Sequence, residues 1–544
     1  MLRSALWLVL SLPVAADDGF PESLQNATSA QFEAAVQQAP DAGMRLDDFT
    51  VKGTAQDLRI DAQFVPNPDF TDWRVHVNLP TEQFRELDRK YQAEGYRRLR
   101  QGSLRRGGRR GRSGLWIREP SKSEPLQLPT GDLPIAGTLP PVGSETAAPL
   151  DDMLADFLRE HNAAGVSVAV ADRGRLLYEH AVGYADARDA TALATDVEMR
   201  IASLSKPITA IAILRLCEQN RLQLSDPVWP YLKQTDESLP EPHDDRWQQI
   251  TVQHLLQHTG GFDRTLSGDP MFKVPSITLK YGLTTPARIP DIIRYQVTEK
   301  LDHTPALNYA YSNFGYCVLG RVIEAVTGER YEDFIRAEIL IPCGMNQTRL
   351  GKTREGDRYD HETRYHMQQQ TRHAPFWSAA ALNRQSDNDA KVTNANSLRV
   401  SDQYGRWDLE VMDAHGGWVS TAGDLVKLVS ALDRSQQPLL SPKSRQIMIR
   451  RPTHAALNDS SVWYGCGWSV RRKNPDGRTL DGHNIWHAGA LDGTSTLLVR
   501  RHDGLSWAVL FNTDRSTNGK RLSGLIDPLM HRAVDRMVEL SRAE

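Results

Sequence analysis

Ser203-Leu204-Ser205-Lys206 sets a hydroxyl and an amine three residues apart, so on a helix the two side chains are neighbours one turn apart. A serine hydroxyl is a weak nucleophile until a neighbour takes its proton. An amine at that distance can take it if burial and nearby charge let the amine lose its own proton near neutral pH. The pair is a candidate acyl-transfer centre, although Ser-x-x-Lys alone also recurs by chance in long chains. Further polar groups stand at Tyr311-Ser312-Asn313 and His487-Ala488-Gly489.

The surrounding elements must hold these residues together. Pro207 is compatible only with the first turn of a helix, which places Ser203 at or just before a helix N-terminus. There the free N–H groups and the helix dipole favour a developing anion. Ile208, Ile211 and Leu214 then fall on one buried face. Tyr311-Ser312-Asn313 opens another apolar-periodic helix, "FGYCVLGRVIEAVTG". Strands are expected in "GVSVAVAD" and "LLYEHAVGYAD" at one end of this region and in "STLLVRRHD" and "LSWAVLFNTD" at the other. A helix, "APLDDMLADFLREHN", comes first and another closes the chain. Strands at both ends around a helical middle describe an α+β unit whose antiparallel sheet is assembled from the two ends.

Taken together, these residues resemble the serine beta-lactamase-related family, on the side of class C beta-lactamases, D,D-peptidases and esterases. The family's signatures are Ser-x-x-Lys, Tyr-x-Asn and Lys-Thr-Gly or its His-x-Gly variant. Here they stand in family order, with flanks "ITVQHLLQHTGGF", "GGWVSTAGDLVKL" and "YGCGW", and the resemblance covers roughly 148–540. It implies a beta-lactamase/penicillin-binding-protein-like fold over residues 148–544. It also implies Ser203 as nucleophile, Lys206 as base, Tyr311 as partner base and later proton donor, and Asn313 as the group holding Lys206 and a substrate amide. His487 would take the place of the family's lysine, donating to Tyr311 or to a substrate carboxylate. The oxyanion hole would be the N–H groups of Ser203 and Ala490. Gly489, lacking a side chain, would let an edge strand approach the substrate backbone. Ser205 reads as structural, Tyr309 and Tyr316 as core, His258 as a turn residue, and His415 as a residue that could line the cleft.

The rest of the chain sets the context. "MLRSALWLVLSLPVAA" has a positive start, an apolar run and a small-residue end, which is a signal peptide over 1–16 and implies export, periplasmic or secreted. A repeat of period 52 follows over 20–118: Phe32 matches Phe84, Arg45 matches Arg97, and Phe64 matches Trp116. Each unit reads as a helix, a Gly-led turn and two strands, and two units would share one core. This pattern is similar to repeats preceding the hydrolase domain of secreted polyglycine hydrolases. Residues 97–112 carry eight arginines and form a strand and hairpin, either solvated or in contact with an anionic polymer. No aromatics stand among them to stack on bases, so no nucleic acid is expected. Residues 119–150 hold seven prolines, and 119–147 reads as a linker.

The chain's 544 residues carry a formal net charge of -3, which gives no general drive towards nucleic acid or membrane. No later stretch approaches a membrane span. Cys217, Cys317, Cys343 and Cys466 sit among apolar residues and read as buried thiols, with a disulfide left open. No metal or other cofactor is expected, and the chain is read as a monomer. The function expected is an exported serine hydrolase working through an acyl-enzyme, a peptidase or esterase. The alternatives are beta-lactamase or D,D-carboxypeptidase activity, or an inactive homologue that binds cell-wall peptides.

Overall fold

The computed structural model describes residues 21–39, 44–54, 57–66, 72–93, 96–106, 109–118, 125–369, 372–373, 400–452, 461–473 and 479–543. The signal-peptide reading over 1–16 lies outside them. The chain divides into two compact units, residues 1–122 with 388–397, and 123–387 with 398–544.

In the smaller unit the order strand, helix, strand, strand occurs twice. The first set is β1 (Ser23–Thr28), α1 (Ser29–Gln38), β2 (Met44–Thr54) and β3 (Asp57–Pro66). The second is β4 (Asp72–Pro80), α2 (Thr81–Ala93), β5 (Arg97–Arg106) and β6 (Arg109–Arg118). Both sheets are antiparallel, with orders β1-β3-β2 and β4-β6-β5. A strand thus precedes each helix, which the sequence pattern did not show. Phe32, Phe64, Trp73 and Leu115 bury in a core drawn from both sets. The arginine run lies on β5 and β6, paired from Arg97↔Ile117 to Arg106↔Arg109. Arg98 pairs with Asp88, and Arg100 Nε lies 2.9 Å from Asp48.

The larger unit is built on a sheet closed from both ends of its sequence. Its strands begin with β7 (Ile135–Leu139), β8 (Gly165–Asp172), β9 (Arg175–Asp186), β10 (Thr191–Ala192), β11 (Met199–Arg200) and β12 (Arg349–Leu350). They continue with β13 (Arg372–His373), β14 (Val400–Ser401), β15 (Trp418–Ser420), β16 (Val462–Tyr464) and β17 (Ser469–Arg472). The last are β18 (His483–Leu491), β19 (Thr494–Arg500) and β20 (Leu505–Phe511). The main sheet runs β10-β9-β8-β20-β19-β18-β17-β16, with β7 also on β9. Its side chains alternate between two cores, as a strand period of two dictates. Val166, Val168, Trp507 and Val509 face α3 (Ala148–His161) and the closing helix Leu522–Ala543. Ala169, Ala171, Ala508 and Leu510 face the helical middle. That middle contains α4 (Ser205–Glu218), α5 (Asn313–Thr327) and α6 (Ala422–Asp433).

The linker reading for 119–147 needs correction over its described part, 125–147. Strand β7 lies inside that range and pairs with β9. Asn162 Nδ2 donates to the Leu126 carbonyl at 2.9 Å. His180 joins the Pro140 carbonyl, 2.6 Å from Nε2, to Asp151, 2.7 Å from Nδ1. The prolines disguised the segment because an edge strand tolerates residues that a central strand excludes. The unit therefore starts at Ser123 rather than at Ala148.

Candidate active site

Ser203 sits in a single 3-10 turn, Ala202–Leu204, immediately before α4. The expected helix start is thus met within two residues. Ala202 has φ 49°, the left-handed region that a non-glycine residue occupies only when its surroundings hold it there. The neighbouring Ile201 N–H donates to the Trp418 carbonyl at 2.9 Å, and Ser205 Oγ donates to the Ala202 carbonyl at 2.7 Å. Ser205 is structural, as its place between two motif residues suggested. Ile208, Ile211 and Leu214 are all buried and anchor α4, each at a gain of about 1.5–3 kcal/mol.

Lys206 Nζ donates to Asn313 Oδ1 at 2.7 Å and to the His415 carbonyl at 2.9 Å, and lies 3.1 Å from Ser203 Oγ. Burial drives the amine well below the usual lysine range; Asp269 opposes this and Arg264 reinforces it. In the neutral form that burial favours, the amide oxygen and the carbonyl, which only accept, take the amine's two N–H bonds and leave its lone pair for the serine hydroxyl. His415 contributes this carbonyl, while its side chain is buried. The loop bearing it is held by Thr209 Oγ1 donating to the Ala414 carbonyl at 2.6 Å and by an Arg321–Asp413 pair at 2.6 Å.

Tyr311 Oη donates to Ser203 Oγ at 2.9 Å. Burial pushes its phenol upward, opposed by that same hydrogen bond, so the group rests as a proton donor rather than as a phenolate. Asn313 Nδ2 donates to Asp269 Oδ2 at 2.7 Å. The carboxylate thereby decides the orientation of the amide, turning Oδ1 towards Lys206. Asp269 Oδ1 also accepts from the Met271 N–H at 3.1 Å, which fixes the carboxylate in turn.

His487 is placed differently from the expectation. Its Nδ1 faces the Ala488 carbonyl at 2.8 Å and its Nε2 faces Tyr464 Oη at 2.9 Å. A carbonyl only accepts, so the proton is on Nδ1 and Nε2 takes the tyrosine hydroxyl's hydrogen. Burial, helped by Lys206, holds the ring down to about 3. It is therefore a neutral imidazole with both nitrogens engaged, and neither is free to donate to Tyr311 or to a substrate carboxylate. Its ring centroid lies 6.3 Å from that of Tyr311.

The reason for Gly489 also differs from the one expected. A Cβ there would sit 2.4 Å from the Ile201 carbonyl and 3.1 Å from Ser203 N. The close approach is between β18 and the nucleophile's own turn. Strand β17 pairs with His483–Trp486 only, so the half of β18 carrying His487, Gly489 and Ala490 presents an edge on that side. Thr496, opposite Gly489 on β19, donates to the Ile201 carbonyl at 3.0 Å. Ala490 follows directly on the same strand, paired with Ser495 of β19.

Three contributors went unassigned in the sequence. Asp269 stands in "SGDPM", where Asp-Pro signals a turn, but nothing local ties it to Asn313. Tyr464 opens "YGCGW", where nothing local ties it to His487. Arg264 lies over the Tyr311 ring at 4.7 Å. His258, a left-handed turn residue at φ 57° as expected, also stacks its ring 4.4 Å from both Tyr311 and Tyr464. Tyr316 is core, whereas Tyr309 is 40% exposed. Cys217, Cys317, Cys343 and Cys466 are free thiols. No group of three or more His, Cys, Asp or Glu among the described residues could hold a metal, and no helix there is long and apolar enough to cross a membrane.

An amine poised on a serine hydroxyl, a phenol donor and a strand edge beside the serine N–H can carry out acyl transfer. The chain is similar to several known proteins. The chain is 28% identical over 363 residues to a penicillin-binding protein of Bacillus subtilis, covering 64% of this chain and 68% of that one. It is 31% identical over 204 residues to the esterase EstB of Burkholderia gladioli, covering 37% of this chain and 50% of the esterase. Among solved structures, the hydrolase EstCE1 matches with a TM-score of 0.53 at 21% identity, over 72% of this chain and 98% of its own. A D-stereospecific amidohydrolase from Streptomyces matches with 0.50 at 21% identity, over 72% and 97%. The beta-lactamase family pattern matches residues 150–527, and the chain belongs to that family of serine hydrolases.

Proposed function

We propose that the chain is an exported serine hydrolase that forms an acyl-enzyme on Ser203 and acts as a peptidase or esterase. The observation that carries this is the set of contacts at Lys206, two obligate acceptors and one hydroxyl. In this reading Lys206 takes the Ser203 proton as Oγ attacks the substrate carbonyl. The oxyanion is met by the N–H groups of Ser203 and Ala490. Tyr311 gives its proton to the leaving group and is refilled from the protonated lysine. Water then attacks the ester and returns a proton to Ser203 by the reverse route. Asn313 positions Lys206, and Asp269 positions Asn313. Gly489 allows β18 to lie against the nucleophile's turn, and His487 with Tyr464 braces the strand.

A neutral His487 supplies no cation at the strand position where the family has lysine, which disfavours a beta-lactam's carboxylate there and favours peptides or esters. The similarity to an esterase and to an amidohydrolase supports the same reading. The apolar run at the N-terminus supports export. The smaller unit is proposed as a two-copy repeat that holds a polymeric substrate; its two equal strand orders support this. The eight arginines of the 97–112 hairpin are proposed to contact an anionic polymer. The chain is taken to act as a monomer.

A hydrolysis panel tests the reading: a short-chain ester, a D-Ala-D-Ala peptide, a Gly-rich peptide and a chromogenic cephalosporin. Turnover of an ester or peptide that Ser203→Ala abolishes is expected, with the cephalosporin poor. Cephalosporin as the best substrate would overturn it, as would activity surviving in the Ser203 variant.

A further inference from the structure

The wall of the site beside Tyr311 consists of two loops laced together. The Asp263 N–H donates to Asp302 Oδ2 at 2.7 Å, His303 Nε2 lies 3.0 Å from Asp263 Oδ2, and the His303 N–H donates to the Gly261 carbonyl at 3.1 Å. Such cross-links make a fixed surface of segments that would otherwise move. Three large apolar side chains on it face solvent: Leu266 at 66% exposure, Leu307 at 59% and Tyr309 at 40%. Tyr309 joins the aromatic group of the site, its ring 6.0 Å from His258 and 6.1 Å from Tyr464. Arg264 belongs to the same surface. It is exposed, it lies 4.7 Å over the Tyr311 ring, and among the described residues it makes no close ion pair, although its charge reaches the Asp269 carboxylate. Tyr311 in turn touches Ser203 Oγ, so the guanidinium is two contacts from the nucleophile.

An unpaired arginine held over an aromatic face keeps its planar fork of donors free for an anion and is already oriented by the ring. Lys206 is fully occupied and buried, and His487 has both nitrogens engaged. Arg264 is therefore the cation at this wall that an incoming anion meets. We propose that Arg264, with Leu266, Leu307 and Tyr309, forms a subsite for an amphiphilic anion: a substrate substituent that is apolar near the scissile bond and ends in a carboxylate. This rests on Ser203 being the nucleophile and adds to that reading the class of substituent it takes.

The test compares matched neutral and anionic esters on the full chain, in two arms. In the acyl arm, 4-nitrophenyl hydrogen suberate is compared with 4-nitrophenyl octanoate. In the leaving-group arm, 3-carboxyphenyl butyrate is compared with phenyl butyrate. The expected result is a preference in kcat/KM of roughly tenfold or more for the anion in at least one arm, the scale of a charge-assisted hydrogen bond. The arm that shows it identifies which side of the scissile bond lies on Arg264. Arg264→Gln should abolish the preference and Arg264→Lys should keep part of it. Should either variant not fold, the same preference in the unaltered protein should fall as salt is raised. Equal rates within both pairs, or a preference that survives Arg264→Gln or high salt, would overturn the subsite. Absence of all ester hydrolysis would instead remove the proposed reaction, and the subsite with it.

Discussion

Asp269 accepts from Asn313 Nδ2 at 2.7 Å, and this contact sets which end of the Asn313 amide faces Lys206. The carboxylate has two separable effects, one of geometry and one of charge. Asp269→Ala removes both and should lower kcat by ~10²-fold, a loss on the scale of one misplaced catalytic group. Asp269→Asn keeps an acceptor for Nδ2, so it should recover most of that loss. The Asp269 charge raises the Lys206 pKa and Lys206 works deprotonated, so the Asn variant's acid limb of kcat/KM should move to lower pH. A limb that stays in place or moves up would show that Lys206 is not the group titrating.

Lys206 and Tyr311 both reach Ser203 Oγ, at 3.1 and 2.9 Å. Lys206→Ala and Tyr311→Phe should each cost at least ~10²-fold in kcat, the lower end for a lost general base or acid. Groups that act on one proton are far from additive. The double variant should therefore be little worse than the poorer single one, and multiplying losses measured by steady-state kinetics would separate the two roles.

Buried histidines give the larger unit a definite response to acid. His487 is held at about 3 and His366 at about 4, both by burial, against about 6.5 in an unfolded chain. Between those values the unfolded chain binds protons that the fold does not. Stability from these groups is complete above about pH 6.5 and is lost as pH falls towards 3–4, at up to about 1.4 kcal/mol per pH unit for each. Urea midpoints should decline from pH 7.5 to 5; a midpoint constant over that range would mean the rings are not kept neutral.

The chemistry was more legible in the sequence than its support. Ser203 and Lys206 stand out because their spacing suits a helix start, a local rule, whereas Tyr311 and Asn313 are implied by the family resemblance; the structure gathers all four. Asp269 is invisible by the same logic, since its partner lies 44 residues away. The role expected of His487 failed because a sequence does not reveal that Tyr464 covers its Nε2. Four helices of the larger unit and four strands of its sheet were readable from the sequence pattern. Strands β1 and β4 were missed, for both are short or irregular edges interrupted by register shifts.

Residues 125–147 offer their own check. A chain beginning at Ser123 keeps β7 on β9 and the Pro140–His180 contact. It should fold and hydrolyse a small ester about as well as the whole chain. One beginning at Ala147 loses both contacts and should unfold at lower urea, since each buried partner lost costs about 1–3 kcal/mol. Equal midpoints would return residues 125–146 to the status of a tether.

The identity of the nucleophile is the claim on which the rest depends. Labelling the purified full chain with a fluorophosphonate, followed by proteolysis and mass spectrometry, reads it directly. The account predicts one adduct, on the peptide bearing Ser203, formed more slowly as pH falls and absent from Ser203→Ala while that variant stays folded. An adduct on any other side chain, or labelling undiminished in Ser203→Ala, would contradict it.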